Sequence, residues 1–435
     1  MSLASSQVEN IDAGHSITAV TQPARRKKWS SIVLSGSLIM LFSSTLVSSL
    51  NFFFNVAMAR MLGPSEFGNV TAAVTLLMLA SAVTLAFQLV CAKLVAQQDD
   101  AGARAGIYQT LRRKAWMVSL LMGAALFLAQ KPFAAFLHLS QPWILGVLAL
   151  GVAAYVPLGV RRGALQGTCS FNRLGGNFVV ESAARFLAAV ALVAAGYGVL
   201  GAVGAISASV FIACFVVPLP SQMKAQPGPV ARISLHEGMQ ALVFFIGQVI
   251  INNIDILLVK HFFEPAQAGL YAAVALVGRV LYLAAWSVVS VMFPVSAASE
   301  QHDQNRDVVA LPLLLVFGLV SVFTLVVAFL PHFIMHVIFG PRFTDGGHLL
   351  ALYAAATGIY ALSVVLMAHE MSRRTARTAW LQLIFSGILA LAIAVFHRDL
   401  RQVIVVQVVL MTIMLLLVSI SFVRRHHSEF AQEAV

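Results

Sequence analysis

Apolar runs of roughly 18 or more residues recur along this chain, and no other feature limits its folding as strongly. Each run is long enough to cross a hydrocarbon layer about 30 Å thick as a helix. Lipid offers no partner for a free backbone N–H or C=O, so the runs must be helical. A transmembrane barrel would need alternating segments of about 10 residues, whereas these runs are continuously apolar. Only 10% of the 435 residues are charged and 60% are hydrophobic, against roughly 25% charged in soluble domains.

The pattern predicts spans near 31–58, 69–92, 116–136, 142–160, 176–195, 199–219, 237–259, 269–296, 309–330, 346–368, 379–396 and 402–423. Arg25-Arg26-Lys27-Lys28 precedes the first run, and Ala57-Met58-Ala59 mimics a leader-peptidase site. The run from Ser30 to Ala59 is far longer than the ~7–15-residue core of a cleaved leader, so it reads as a permanent span.

An even number of spans puts both termini on one side. Of the 28 Lys and Arg residues, 20 then fall on that side. Six fall opposite (Arg60, Lys131, Lys260, Arg342, Arg398 and Arg401), and two, Arg185 and Arg279, fall inside spans. Basic residues concentrate on cytoplasmic connections, so both termini are expected in the cytoplasm. The net charge of +11 is explained by this orientation, and no nucleic-acid motif accompanies it.

The chain also repeats itself. NVAMARMLGPSEFGNVTAA (55–73) parallels DILLVKHFFEPAQAGLYAA (255–273), matching Asn55 with Asp255, Arg60 with Lys260 and, after a one-residue slip, Gly68 with Gly269. Six spans separate the copies, so both keep the same orientation, as in parallel repeats about an axis along the membrane normal. The expected organisation is all-α, about twelve transmembrane helices in two six-helix lobes with a parallel pseudo-twofold repeat. It divides into a basic tail (1–28), a first lobe (29–220), a cytoplasmic linker (221–236), a second lobe (237–423) and a C-terminal tail (424–435).

Charges at mid-membrane cost on the order of 2.5–3.5 kcal/mol, so they mark candidate sites. Glu181 and Arg185 are four residues apart on one helical face and can pair; the pair is either a structural lock or part of a translocation path. Gln248, Asn252 and Asp255 form a polar stripe on the seventh span, and Ser44, Ser48, Asn51 and Asn55 form another on the first. Together they suggest a shared central cleft. Arg279, Tyr282 and Trp286 share a face of the eighth span, where a cation and two aromatics could hold a phosphate and stack on a sugar. Arg279 has no partner on its own helix; Asp255 across the cleft is a candidate.

Other chemistries are missing from the sequence. It contains no GxxxxGK[ST] loop and no HExxH. His332 and His336 have no third ligand in view, and Cys91, Cys169 and Cys214 form no CxxC pair. No metal, cofactor or catalytic group is expected.

ARMLGPSEFG (Ala59–Gly68), RRGALQGTCSFNRLGG (Arg161–Gly176) leading into Glu181 and Arg185, and Asp255 followed by AGLYAA (Ala268–Ala273) resemble the polysaccharide transporter (Wzx-type flippase) family. That family lies within the multidrug/oligosaccharidyl-lipid/polysaccharide exporter superfamily. The resemblance implies two six-helix bundles around a cationic cavity with alternating access. Its cargo would be a polyprenyl-diphosphate-linked oligosaccharide in the bacterial inner membrane. Membrane lipids, a polysaccharide polymerase and export machinery would be the partners. Arg185, Arg279, Arg60, Asn55, Asn252 and Trp286 are the candidate substrate contacts, with Asp255 and Glu181 for ion coupling or gating.

Two alternatives stand beside this reading. A cation-coupled drug exporter of the same superfamily would favour an acidic cavity. A membrane glycan polymerase or ligase would need a large outer loop or paired acids. Here the first outer loop has only Glu66, and the longest outer stretch, Pro331–Asp345, is short.

Overall fold

The structure is a computed structural model that describes residues 22–224, 226, 228, 239–298, 307–372 and 377–433. The described residues form helices and no strand. The first helical stretch, Gln22–Ala96, is two helices broken at Gly63 (φ 78°, ψ 175°). L side chains avoid that conformation, and Pro64 behind it suits the first turn of a new helix. The break gives α1 (22–62) and α2 (64–96).

Next come α3 (Ala101–Leu128) and α4 (Gln130–Phe136), bent by 63°. They are followed by α5 (Trp143–Gly167), α6 (Phe171–Leu192) and α7 (Gly198–Phe215). The second half holds α8 (Met239–Ile251), α9 (Ile254–Phe262), α10 (Pro265–Ala298) and α11 (Asp307–Phe329). Its remainder is a short α12 (Pro331–Phe339), then α13 (Gly347–Ser372), α14 (Arg377–Val395) and α15 (Leu400–Glu433). With α3–α4 and α8–α9 each taken as one crossing and α12 as a short helix between crossings, there are twelve spans among the described residues.

Two features depart from the expected spans. The seventh is not continuous: it breaks between α8 and α9 at Asn252-Asn253. Asn252 Nδ2 donates to Gln248 O at 2.8 Å and Asn253 Nδ2 to Val249 O at 2.7 Å. Side-chain amides that compete for helix carbonyls in this way loosen the helix. The C-terminal tail is not separate either, because α15 runs on to Glu433. Most of the expected N-terminal tail and linker lies outside the described residues.

Packing is mainly within halves. The 22–96 stretch packs on α5 and α6, and α3 on α5; in the second half α10 and α15 pack on α13, and α14 on α8. Glycines 159, 163 and 167 set α5 against α2, where added methyl groups would lie 2.5, 2.4 and 2.6 Å from the carbonyls of Thr84, Gln88 and Ala92. Small residues at a four-residue spacing allow such close helix contact in lipid. Only 11% of the apolar window on α11 is buried, against 78% on α5, which places α11 at the periphery and α5 in the interior.

The halves meet through the 22–96 stretch, chiefly against α10. At the face opposite the termini, hereafter the distal face, the two repeat copies cross. A methyl group on Gly68 would lie 3.2 Å from Pro265 O, and one on Gly269 would lie 1.8 Å from Pro64 O. The contact is reciprocal, each glycine meeting the other copy's proline carbonyl, as a twofold relation requires. Phe67 seals the crossing against Phe339 and Phe343, at ring separations of 6.5 and 5.9 Å.

Gly269→Leu should force this crossing apart. A cysteine placed at buried Ala59, with the three native cysteines replaced by alanine, should then react with an impermeant maleimide far faster than in the Gly269 background. Equal rates would show that the crossing does not close the distal face.

Candidate functional site

The candidate residues gather into two clusters, one in each half. In the first, Glu181 on α6 is buried between two guanidiniums. Arg185, one turn further on, donates through Nη2 to Oε1, and Arg162 of α5 donates to Oε2. Arg162 Nε also donates to Asn177 Oδ1 at 2.8 Å, and Asn177 Nδ2 donates to Ala213 O at 2.6 Å. Arg185 Nη1 reaches Asn51 Oδ1 on α1 at 3.2 Å. Two cations and one anion leave this cluster with a net positive charge.

The expected Glu181–Arg185 pair is present, and Arg162 is the residue that sequence reasoning missed. It had been placed in a cytoplasmic connection. The helix, however, does not stop at 160; it continues through RRGALQG to Gly167 and carries Arg162 into the packed interior. The available signal was the lack of any proline between Pro157 and Thr168, with Gly163 and Gly167 at the helical spacing of Gly159.

The stripe on α1 runs along an open face: Ser44 and Ser48 are exposed, while Asn51 and Asn55 are half-buried. Asn55 Nδ2 bonds back to Asn51 O at 2.8 Å. The stripe therefore leads from exposed hydroxyls to Arg185 through Asn51.

In the second half, Asp255 at the start of α9 is 2% exposed. Its Oδ2 accepts from Tyr271 and Tyr353 hydroxyls, both at 2.9 Å, and from Gln407 Nε2 at 3.5 Å. Arg279 Nη2 lies 3.4 Å from Oδ1 and also donates to Asn252 O, the carbonyl freed by the helix break. Arg279 Nη1 is 3.4 Å from Asn253 Oδ1. Asp255 is thus the partner of Arg279, but on a neighbouring helix of the same half and not across a cleft.

The stripe expected to face that cleft points into the second half instead. Gln248 joins Tyr282 and Gln382, and Tyr360 accepts from Gln382 at 2.7 Å and from Asn252 at 3.4 Å. Between these groups is a cavity of about 30 Å³, lined by Asn252, Asp255, Arg279, Tyr353, Tyr360 and Gln407 among others. It has room for about one water.

The remaining candidates lie apart. Arg60 is on the distal face, where it donates to the carbonyls of Val337 and Ile338. Lys260, expected on an outer connection, is 1% exposed, and its Nζ has no hydrogen-bond partner among the described residues. The Trp286 side chain lies outside the described residues.

The two arginines share one chemical property. Each is held by a carboxylate and a polar neighbour, yet among the described residues Arg185 Nε and Arg279 Nε, like Arg161 Nε, are buried without a hydrogen-bond partner. A buried donor left unpaired costs ~1–3 kcal/mol. A planar guanidinium can exchange a carboxylate for phosphate oxygens without changing shape. The Arg279 side chain keeps 23% of its surface exposed, against 8% for Arg185, so it is the more accessible of the two.

Glu181→Gln would leave two guanidiniums buried side by side. Removing one partner of a buried pair costs about 3–5 kcal/mol, so the purified variant should unfold at a clearly lower temperature. Arg162→Gln should cost less, because Arg185 still pairs with Glu181. An unchanged unfolding temperature for Glu181→Gln would contradict this electrostatic account.

Solved structures share the fold at low identity. An inward-facing multidrug resistance MATE family transporter of the MOP superfamily superposes with a TM-score of 0.71 at 12% identity, covering 92% of this chain and 99% of that one. The lipid II flippase MurJ in an inward closed conformation gives 0.73 at 12% identity, covering 88% and 87%. An outward-facing MATE family transporter gives 0.60 at 14% identity, covering 90% and 96%. No curated protein matches the chain. The family model described as "Polysaccharide biosynthesis protein" matches residues 57–346, which takes in Arg162, Glu181, Arg185, Asp255, Arg279 and the distal crossing, and the chain belongs to that family of multi-pass membrane proteins.

Proposed function

We propose that this chain flips a polyprenyl-diphosphate-linked oligosaccharide, a polysaccharide precursor, across the bacterial cytoplasmic membrane. The observation that carries this reading is the pair of arginines, one per half, each retaining a buried and unpaired Nε–H. A diphosphate cannot cross hydrocarbon unaided. Oxygens presented to Arg185 and Arg279 would find donors already desolvated and positioned, while the polyprenyl tail stays in the bilayer. The exposed hydroxyl stripe on α1 offers the glycan a polar surface beside Arg185.

The family match supports a role in polysaccharide biosynthesis. The distal crossing is closed, with Gly68 and Gly269 in close backbone contact and Phe67 packed on Phe339 and Phe343. With both termini in the cytoplasm, as the basic-residue bias implies, the distal face is periplasmic. The closed state then loads from the cytoplasmic leaflet. The two halves act as the two lobes, 29–220 and 237–423, and rock about the glycine crossing.

Release of Arg279 to a phosphate would leave Asp255 with only neutral donors beside the small cavity. A proton or cation arriving there would restore neutrality, and Asp255 is the coupling group in this scheme. Glu181, held by two arginines, keeps one partner when Arg185 turns to substrate and so serves gating. A drug exporter for cations would need a free acid, whereas Glu181 and Asp255 are both paired with arginine. The chain acts as a transporter and not as an enzyme, handing its cargo to a polysaccharide polymerase and export machinery.

Arg279→Ala and Arg185→Ala should each lower glycan export roughly tenfold or more, the scale of one lost charge-assisted bond. Each variant also loses one partner of a buried pair, so export is normalised to the folded protein present in the membrane, and lipid-linked precursor should accumulate inside the cell. Parental export from both would refute the proposal.

A further inference from the structure

The distal face carries a second cationic feature, separate from both clusters. A groove of about 520 Å³ opens there, lined by Arg60, His336, Val337 and Arg342, with Gly340 and Pro341 at its turn. Its lining contains no Asp or Glu. Arg342 has no hydrogen bond or ion pair among the described residues, and its Nη1 lies where Gly63 leaves space, 3.3 Å from the position a methyl group would occupy.

The local fold explains why the groove is positive. α12 begins at Pro331 and ends at Gly340 (φ 94°), which turns the chain sharply so that Arg342 comes back beside Gly63. The C-terminal carbonyls of a helix carry partial negative charge and would repel an anion. Arg60 covers two of the last carbonyls, those of Val337 and Ile338, through Nη2 and Nε, and its Nη1 makes no bond among the described residues. The groove is left with two guanidiniums and an imidazole. α12 also presents Phe333 and Val337 to the surface, 62% and 50% exposed, and Phe329 just before it is 79% exposed. A short helix with an apolar face beside basic groups lies at the boundary between acyl chains and head groups.

The pseudo-equivalent corner is built differently. There α4 ends at Phe136, whose carbonyl meets His261 Nδ1 at 2.7 Å, and the two rings stack at 3.8 Å. His138 and His397 join that stack, at ring separations of 5.9 Å from His261 and 3.9 Å from Phe262 respectively, so this corner carries packed rings where the other carries two guanidiniums.

We infer that the groove of Arg60, Arg342 and His336 binds the diphosphate head group of a polyprenyl lipid at the distal leaflet, as the site where cargo is received on leaving the protein. This rests on the transport reading above but concerns a different site. The charge selects a phosphorylated head, and Val337 in the groove, with exposed Phe333 one turn back on α12, selects a ligand with a tail.

The test uses the full chain purified in detergent, with a photoactivatable farnesyl diphosphate as probe. Label should appear in residues 331–346. Arg342→Glu should reduce it roughly tenfold or more and Arg342→Gln less, while label near Arg279 is unchanged in both. Unlabelled farnesyl diphosphate should compete far better than inorganic pyrophosphate or phosphatidylglycerol. Label in 331–346 that is indifferent to Arg342→Glu overturns the inference. So does equal competition by pyrophosphate, which would mean a bare phosphate contact, or by phosphatidylglycerol, which would mean a general lipid contact. Label near Arg279 with none in the groove refutes the groove alone; no label at either place refutes the transport reading as well.

Discussion

Hydrocarbon tolerates no isolated charge, and the interior of this protein is arranged around that constraint. Two carboxylates, Glu181 and Asp255, sit inside the helical bundle, and each is met by arginine. A buried carboxylate needs a cationic partner and hydrogen bonds to offset its desolvation, and both have them. The arginines are not fully used in return, since Nε of Arg185 and of Arg279 has no acceptor. What sets these two apart from Arg161, whose Nε is also unpaired, is that each also meets a buried carboxylate inside the bundle.

The second organising element is the repeat. Gly68 and Gly269 let two backbones approach more closely than any side chain would permit, and each copy contributes the same contact to the other. The crossing joins the halves at one end. Symmetry does not extend to the corners beside it: one carries the Phe136–His261 stack, while the other carries Arg60 and Arg342 around a groove.

The span count, the parallel repeat and the Glu181–Arg185 pair were all legible in the sequence, because each rests on local periodicity and spacing. Two things were hidden. Arg162 looked like a loop cation because apolar content falls at the end of its span, although the helix continues past it. The break at Asn252-Asn253 was hidden because the flanking residues are apolar enough to read as one helix. Its signal was the Asn doublet, whose amides can bond to the preceding turn. The inward aim of Gln248 and Asp255 was also out of reach: periodicity tells which residues share a face, but not which neighbour that face meets. Lys260 teaches the same lesson, a basic residue at a span end that is buried.

The central claim is that Arg279 gives up Asp255 to take a phosphate. Its most direct test is the equilibrium affinity of the purified chain for farnesyl diphosphate with and without the Asp255 charge. Asp255→Asn removes the competitor and frees the guanidinium, so binding should tighten by roughly tenfold, equivalent to about 1.4 kcal/mol. Affinity that is unchanged or weaker in Asp255→Asn would mean the two groups do not compete, and the exchange mechanism would be wrong.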